Sequence, residues 1–250
     1  MINKKIPIFI VASSLVSVSV FADTNEQDIN PADVTRAYTQ LNMGVSNQGD
    51  VRLLGSLSYN HKGGTASMAS LEGVMDEDGS YKSSRLQYFH VWNRDSAFMP
   101  RIAASLDVID NEMFTTAALG TAAIFPTSID GFNVFGRVAA LAGKYDDDFA
   151  SHYGGTGTST DIAGGMGAIY FVYTADSGSF IAYYPEYSSL SGDIDVETTL
   201  HTITAGVPLS ESKDKWIQFK FEDSTTDITA SRMNEQLDNR ILWTQFKLFF

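Results

Sequence analysis

The chain ends at residues 241–250 with the stretch ILWTQFKLFF. Read with a period of two, one face of this stretch carries Leu242, Thr244, Phe246, Leu248 and Phe250. The other face carries Trp243, Gln245 and Lys247. This alternation predicts a β-strand whose two faces meet different environments. An unpaired apolar edge strand promotes aggregation in water, so such an end is unusual for a soluble protein.

The terminal pattern resembles the closing strand of bacterial outer-membrane β-barrels, in which apolar residues at every second position precede a final Phe. The resemblance implies that Phe246, Leu248 and Phe250 belong to the signal that the barrel-assembly machinery reads. The alternative at this stage is a core strand that ends a soluble β-sandwich. The remainder of the chain distinguishes the two interpretations.

The first 22 residues have the composition of a secretory signal peptide. Lys4 and Lys5 form a positive amino-terminal region, residues 6–20 are an apolar stretch, and residues 20–22 form a small-x-small cleavage site. The apolar stretch is shorter than the ~20 residues of a membrane-spanning helix, and no later segment is long enough for one. No Cys follows the cleavage site, which excludes a lipoprotein anchor. We therefore expect export, a short periplasmic segment at residues 23–33, and a barrel in the outer membrane formed by residues 34–250.

Composition agrees with a membrane barrel and excludes several classes of function. The chain is 44% hydrophobic with a mean hydropathy of -0.08, as expected where only every second strand residue meets lipid. The net charge of -13 argues against nucleic acid as a partner. The absence of Cys removes disulfides, thiol chemistry and Cys-based metal sites. The expected partners are outer-membrane lipids, lipopolysaccharide, the barrel-assembly machinery and small polar solutes.

Twelve alternating segments separated by turn residues predict an all-β, transmembrane, antiparallel up-and-down β-barrel. The predicted strands are residues 34–45, 51–60, 65–74, 81–92, 101–108, 113–125, 132–143, 160–174, 179–184, 195–207, 215–222 and 241–250. Long polar loops are expected at residues 144–159, 185–194 and 223–238. All three are odd-numbered connections, which are extracellular in barrels whose termini are periplasmic. A ten-strand barrel without the weak third or ninth segment is the alternative.

Charged residues concentrate on the strand faces opposite the apolar ones. The predicted pore-lining residues are Arg36, Arg52, Arg85, Arg101, Asp107, Arg137, Glu197, Lys220 and Glu222. Lys247 and Glu72 follow the same alternation. A charge that faced lipid near the midplane would cost about 2–4 kcal/mol, so these side chains are expected to face the lumen. They would line a narrow channel for polar or anionic solutes, or they would form an Arg–acid network that fills the barrel. A twelve-strand barrel lies between filled eight-strand barrels and open porins, so size alone leaves both interpretations open.

The longest predicted loop contains the one arrangement that suggests chemistry. His152 follows Ser151 and lies four residues after the acidic run 146–148, where a carboxylate–His pair could activate water or the Asp residues could bind Ca²⁺. Polar loops collect such residues, and no motif of the outer-membrane proteases, phospholipases or deacylases is present. We expect no catalytic residues, no metal and no cofactor. The predicted function is passive diffusion of small polar or anionic solutes. The alternatives are a non-conducting barrel whose loops bind a partner and, less favoured, a hydrolase.

Overall fold

The computed structural model describes residues 29–250, so the expected signal peptide and residues 23–28 lie outside the described residues. Twelve antiparallel strands form a closed barrel in which each strand pairs with its neighbours in sequence and β12 pairs with β1. The elements are β1 (Gln40–Ser46), β2 (Val51–His61), β3 (Thr65–Met75), β4 (Tyr81–Asn93), β5 (Arg101–Asn111), β6 (Phe114–Pro126), β7 (Phe132–Tyr145), α1 (Asp147–Tyr153), β8 (Asp161–Thr174), β9 (Phe180–Ser191), β10 (Ile194–Pro208), β11 (Lys215–Ala230) and β12 (Asn234–Phe249). The predicted all-β, twelve-strand barrel is confirmed.

The carboxyl-terminal strand closes the barrel with the alternation that the sequence predicts. Met43 of β1 pairs with Phe246 of β12 in an antiparallel register that runs along the whole of β1. Trp243 and Gln245 are buried, whereas Leu242 is exposed on the outer surface. Closure satisfies the backbone groups of both strands and leaves no sheet edge.

A band of apolar side chains surrounds the outside of the barrel. Its exposed members include Leu53, Leu57, Leu71, Leu86, Leu106, Leu119, Val138, Ile169, Ile203, Phe219 and Leu242. In a closed sheet the side chains alternate between the two surfaces, so this band is the counterpart of the polar inner face. No helix within residues 29–250 is long and apolar enough to cross a membrane.

The polarity of the wall inverts toward the barrel end opposite the termini, which we call the capped end. Along β12 the outward series continues from Leu242 to Arg240 and Asp238, which are exposed. In the same region the inward residues Val196 and Ile228 are buried in an apolar cluster. Strands β9 to β12 therefore extend beyond the apolar band, with polar residues outside and an apolar core inside.

This extension corrects two of the predicted loops. Residues 185–191 belong to β9, and residues 223–230 and 234–240 belong to β11 and β12. The connections are only residues 192–193 and 231–233, so the inference that the ninth and eleventh connections are long was wrong. The segments are polar because their outer faces lie beyond the apolar band, not because they lack strand structure. The long loop between β7 and β8 is retained and contains α1.

Pro185 lies within β9, although the predicted strand stopped at residue 184. It pairs in register with His201 of β10. On the other side, the β8–β9 pairing lapses between Ala168–Glu186 and Phe171–Tyr183. Because proline lacks an N–H, the cost is a local gap in one ladder while the strand continues.

Candidate functional site

Residues 29–39 lie inside the barrel, near the end that carries the termini; we call them the lumen plug. Ala32 packs into a cluster formed by inward side chains of six strands, together with the partly buried Ile29, Val34 and Tyr38. The Tyr38 ring meets Phe249 edge-on, with 5.3 Å between the centroids. The predicted start of the first strand at Val34 was wrong, since β1 begins at Gln40. The assignment of residues 23–33 to a periplasmic segment stays a prediction.

Asp33 anchors the lumen plug to the wall. Its carboxylate accepts hydrogen bonds from Arg101 of β5, from Arg36 (3.2 Å) and from the backbone N–H of Thr35 (3.0 Å). Arg101 also donates to the Thr35 hydroxyl at 3.1 Å. Asp33 and Thr35 are buried. Arg36 therefore faces the lumen as predicted, but from the plug rather than from a strand.

A second polar cluster of the inner wall consists of Asp107, Arg85, Arg137 and Gln87. The Asp107 carboxylate is fully buried and accepts from Arg85 Nε at 2.8 Å, Gln87 Nε2 at 2.6 Å and Arg137 Nη2 at 3.1 Å. One acid therefore holds two guanidinium groups from strands β4 and β7 in charge-assisted hydrogen bonds.

A third group of charges lies on β2, β3, β11 and β12. Lys220 Nζ donates to Glu222 at 2.7 Å, and Trp243 Nε1 donates to the second oxygen of the same carboxylate at 2.7 Å. Arg52 lies 4.2 Å above the Trp243 ring and 4.0 Å from the Glu72 carboxylate. All these side chains face the lumen, in agreement with the predicted alternation.

The sequence interpretation missed two lumen acids and misplaced one. Asp33 was missed because its segment was assigned to the periplasm, and Glu186 was missed because β9 was ended at Pro185. The alternation of Phe180, Ala182 and Tyr184 would have placed Glu186 inside. Glu197 was predicted to line the pore but is exposed on the outer surface, since β10 buries Val196 in the apolar cluster of the capped end.

Two cavities adjoin the lumen plug. One of about 260 Å³ is lined by Arg36, Arg85, Gln87 and Arg137. The other, of about 220 Å³, is lined by Arg52, Lys220, Lys247 and Gln218 on one side and by Val172, Phe180 and Ala182 on another. Pro31 and Val34 of the plug contribute to both, so this segment separates the cavities.

The loop of residues 146–160 covers the capped end. Ala150 and Tyr153 of α1 are buried against inward residues of the wall. The Tyr153 hydroxyl donates to Glu235 at 2.6 Å, and Ser231 donates to the Gly154 carbonyl at 3.2 Å. These contacts join the loop to the β11–β12 hairpin.

We expect Tyr153→Phe to loosen the contact between the loop of residues 146–160, which we call the cap, and the β11–β12 hairpin. A hydrogen bond to a charged group contributes about 1.5–3 kcal/mol, and its loss leaves Glu235 without that donor. Hydrogen exchange of the backbone amides at residues 148–155 should become faster than in the unsubstituted protein. Tyr173→Phe, at an exposed outer site, is the matched control and should leave this exchange unchanged. Equal exchange in both variants would show that the phenol does not hold the cap.

The same contact predicts a pH dependence. Burial, together with the Glu235 carboxylate, raises the pKa of Tyr153 from 10.0 to about 12. Since the protonated phenol is favoured in the folded cap, its stabilising contribution is complete below pH 10 and is lost as the pH rises through about 12. The difference in tyrosinate absorbance between the protein and Tyr153→Phe should titrate in this range. A difference that titrates near 10 would contradict the buried contact.

The structure separates the residues of the candidate enzyme site. Asp146 caps α1 by accepting from the backbone N–H of Asp148 at 2.9 Å, and Asp147 and Asp148 form the first helical turn. His152 lies in the last turn, where its ring contacts Tyr153. In the described part of the chain no hydrogen bond joins His152 to these carboxylates, and no group of His, Cys, Asp and Glu there could hold a metal ion.

Comparison with known proteins places the fold among outer-membrane channels. No protein-family profile matches the chain, and no curated protein matches it. Among solved structures, the COG4313 outer-membrane channel from Pseudomonas putida F1 superposes with a TM-score of 0.57 at 14% identity, over 89% of this chain and 100% of the other. NanC porin gives 0.57 at 9% identity over 84% and 98%, and KdgM porin gives 0.51 at 9% over 84% and 99%. A KdgM structure in complex with disordered oligogalacturonate is also similar. At these identities the likeness shows the fold: this chain is similar to outer-membrane porins.

Proposed function

We propose that this protein is an outer-membrane channel for the passive diffusion of small polar and anionic solutes. The observation that carries the proposal is the charge of the lumen. Its basic side chains are Arg36, Arg52, Arg85, Arg101, Arg137, Lys220 and Lys247, and its acids are Asp33, Glu72, Asp107, Glu186 and Glu222. A chain with a net charge of -13 thus surrounds a lumen in which positive charge predominates. A pore lined in this way favours anions over cations.

The outer surface supports placement in the outer membrane. Exposed aromatic residues lie at both edges of the apolar band, with Tyr59 and Trp92 toward the termini and Tyr81 and Tyr187 toward the capped end. Aromatic girdles of this kind occur where barrels meet lipid headgroups. Within this proposal the outer face contacts membrane lipids and lipopolysaccharide, and the assembly machinery binds the outward series Phe246, Leu248 and Phe250.

In this conformation both ends of the lumen are covered, one by the plug and the other by the α1 loop. The proposal therefore requires solutes to pass beside these segments or after they move. A filled, non-conducting barrel is the competing function, and conductance distinguishes the two. Enzymatic activity is not part of the proposal, and the similar structures are channels and porins.

Planar-bilayer recording with the purified barrel tests the proposal. We expect discrete conductance steps with a reversal potential that indicates preference for anions in a salt gradient. Arg137→Gln should shift this potential toward cations, because it removes a positive charge from the lumen while Arg85 still pairs with Asp107. Arg240→Gln removes an exposed charge on the outer surface and serves as the control.

The outcomes separate the alternatives. Absence of conductance at every voltage would support a filled barrel with loop-binding function. Conductance with equal reversal potentials in the protein and in Arg137→Gln would keep the channel but reject selection by the arginine-lined lumen.

A further inference from the structure

The cavity of about 220 Å³ contains a lysine ammonium that forms no salt bridge with the described residues. Lys247 lies on the inward face of β12, directly opposite Asn42 of β1. Glu222 binds Lys220 and Trp243, and Glu72, which lines the same cavity, lies 4.0 Å from Arg52, so the two acids face three cations. Among residues 29–250, no carboxylate comes within ion-pair distance of Lys247. A buried charge without a counter-ion is costly, so this site is short of one anion.

Hydrogen-bond donors in the same cavity are also unsatisfied. Gln218 is 2% exposed, and its Nε2 has no hydrogen-bond partner within the described residues. The same holds for Arg52 Nε, whose nearest acid oxygen, on Glu72, is 4.0 Å away. One acceptor in this cavity, Asn42 Oδ1, is unpaired as well. Buried polar atoms are nearly always paired, so unpaired polar atoms around one cavity, two of them donors, indicate a missing polar ligand. A carboxylate supplies both the charge and the acceptor oxygens that this site lacks.

One side of the cavity is apolar. Val172, Phe180 and Ala182 line it, together with Ala32 and Val34 of the lumen plug. A volume of about 220 Å³ exceeds the ~150 Å³ of an apolar protein cavity that binds benzene. The space therefore accommodates one six-membered ring with a carboxylate attached.

We infer that this cavity is a binding site for a small monocarboxylate with an apolar body, which lies between Lys247, Gln218 and Arg52. The inference rests on the proposed function, because it places a solute subsite beside the plug in the proposed channel. The carboxylate accepts from the Lys247 ammonium and the Gln218 amide, and its body packs against Phe180. The plug forms part of the wall, so its position shapes the site.

Calorimetric titration of the detergent-solubilised protein with benzoate tests the inference. We expect saturable binding of one benzoate per barrel, with an affinity at least about tenfold lower in Lys247→Met and in Gln218→Leu, as loss of one charge-assisted contact implies. Lys144→Met, at an exposed site on the outer surface, should bind benzoate as tightly as the unsubstituted protein does.

Lys247→Met and Gln218→Leu both remove buried polar groups that form no salt bridge or hydrogen bond within residues 29–250, so both variants should fold at least as well as the unsubstituted protein. Heat-modifiable migration in gels checks this, and if Lys247→Met fails to fold, Gln218→Leu decides.

Two further ligands test the chemistry. Benzamide has the same shape without the charge, and glucuronate carries its carboxylate on a hydroxylated ring; both should bind at least about tenfold more weakly than benzoate. Equal binding of benzamide, equal binding of glucuronate, or unchanged binding by Lys247→Met would overturn the inference. The test does not depend on conduction. Conductance without benzoate binding would reject only the site, and binding without conductance would reject only the channel.

Discussion

Deletion of residues 29–36 is expected to increase the single-channel conductance several-fold. This segment fills the lumen near the termini and separates the two cavities, so its removal joins them into one wider path. The closing pair of strands stays intact, because β1 begins at Gln40 and the Phe250 N–H still donates to the Thr39 carbonyl at 3.0 Å. Planar-bilayer recording of the folded deletion variant, side by side with the complete chain, measures the effect.

A single substitution should act in the same direction, with a smaller effect. Asp33→Asn weakens the ion pairs with Arg101 and Arg36 that hold the plug to the wall, so open events should become more frequent. Asp95→Asn, at an exposed position in the loop between β4 and β5, is the matched control and should leave the open probability unchanged. If the deletion variant folds and conducts no better than the complete chain, the plug is not the barrier to solutes. The α1 cap would then be the segment to vary.

Replacement of Asp107 by Ala should produce the largest loss of stability. This carboxylate is fully buried and binds Arg85 and Arg137, so its loss leaves two guanidinium groups in the wall without the acid that holds them. Breaking a buried ion pair from one side costs about 3–5 kcal/mol. The temperature at which the folded, fast-migrating form disappears in gels should fall markedly.

Two comparisons show whether the charge itself is responsible. Asp161→Ala breaks the exposed ion pair with Lys144, which contributes roughly 0–1 kcal/mol, and should have little effect. Combining Asp107→Leu with Arg85→Leu and Arg137→Gln should recover much of the stability, since both guanidinium groups are then removed together with the acid that binds them. If Asp107→Ala were as stable as Asp161→Ala, the cluster would be hydrated and would not brace the wall.

The sequence shows clearly those features that depend on a period of two along a strand. Side chains alternate between the two surfaces of a sheet, so the order of apolar and charged residues identifies the lipid-facing and lumen-facing sides wherever one strand crosses the band. Arg52, Arg85, Arg137 and Lys220 were placed on the correct face by this rule alone. The same rule recognised the closing strand from residues 241–250 and led to the twelve-strand count.

The prediction failed where the environment outside the barrel changes and where an alternating segment lies in the lumen instead of in the sheet. Glu197 and the polar parts of β11 and β12 lie beyond the apolar band, and there a polar outer face surrounds an apolar interior. The alternation persists in that region, but its meaning is reversed. Residues 34–39 also alternate, yet they lie within the lumen because Asp33 meets Arg101, which is distant in sequence.

The amino-acid sequence by itself thus determined the strand count, the closure of the barrel and the face of most charged side chains, because these follow from local alternation. Only the tertiary structure decided that residues 29–39 occupy the lumen, that α1 covers one end, and that Asp107 is shared by Arg85 and Arg137 while Lys247 has no such partner. Those features arise from contacts between distant strands across a closed barrel, and such contacts leave no periodic trace in the chain.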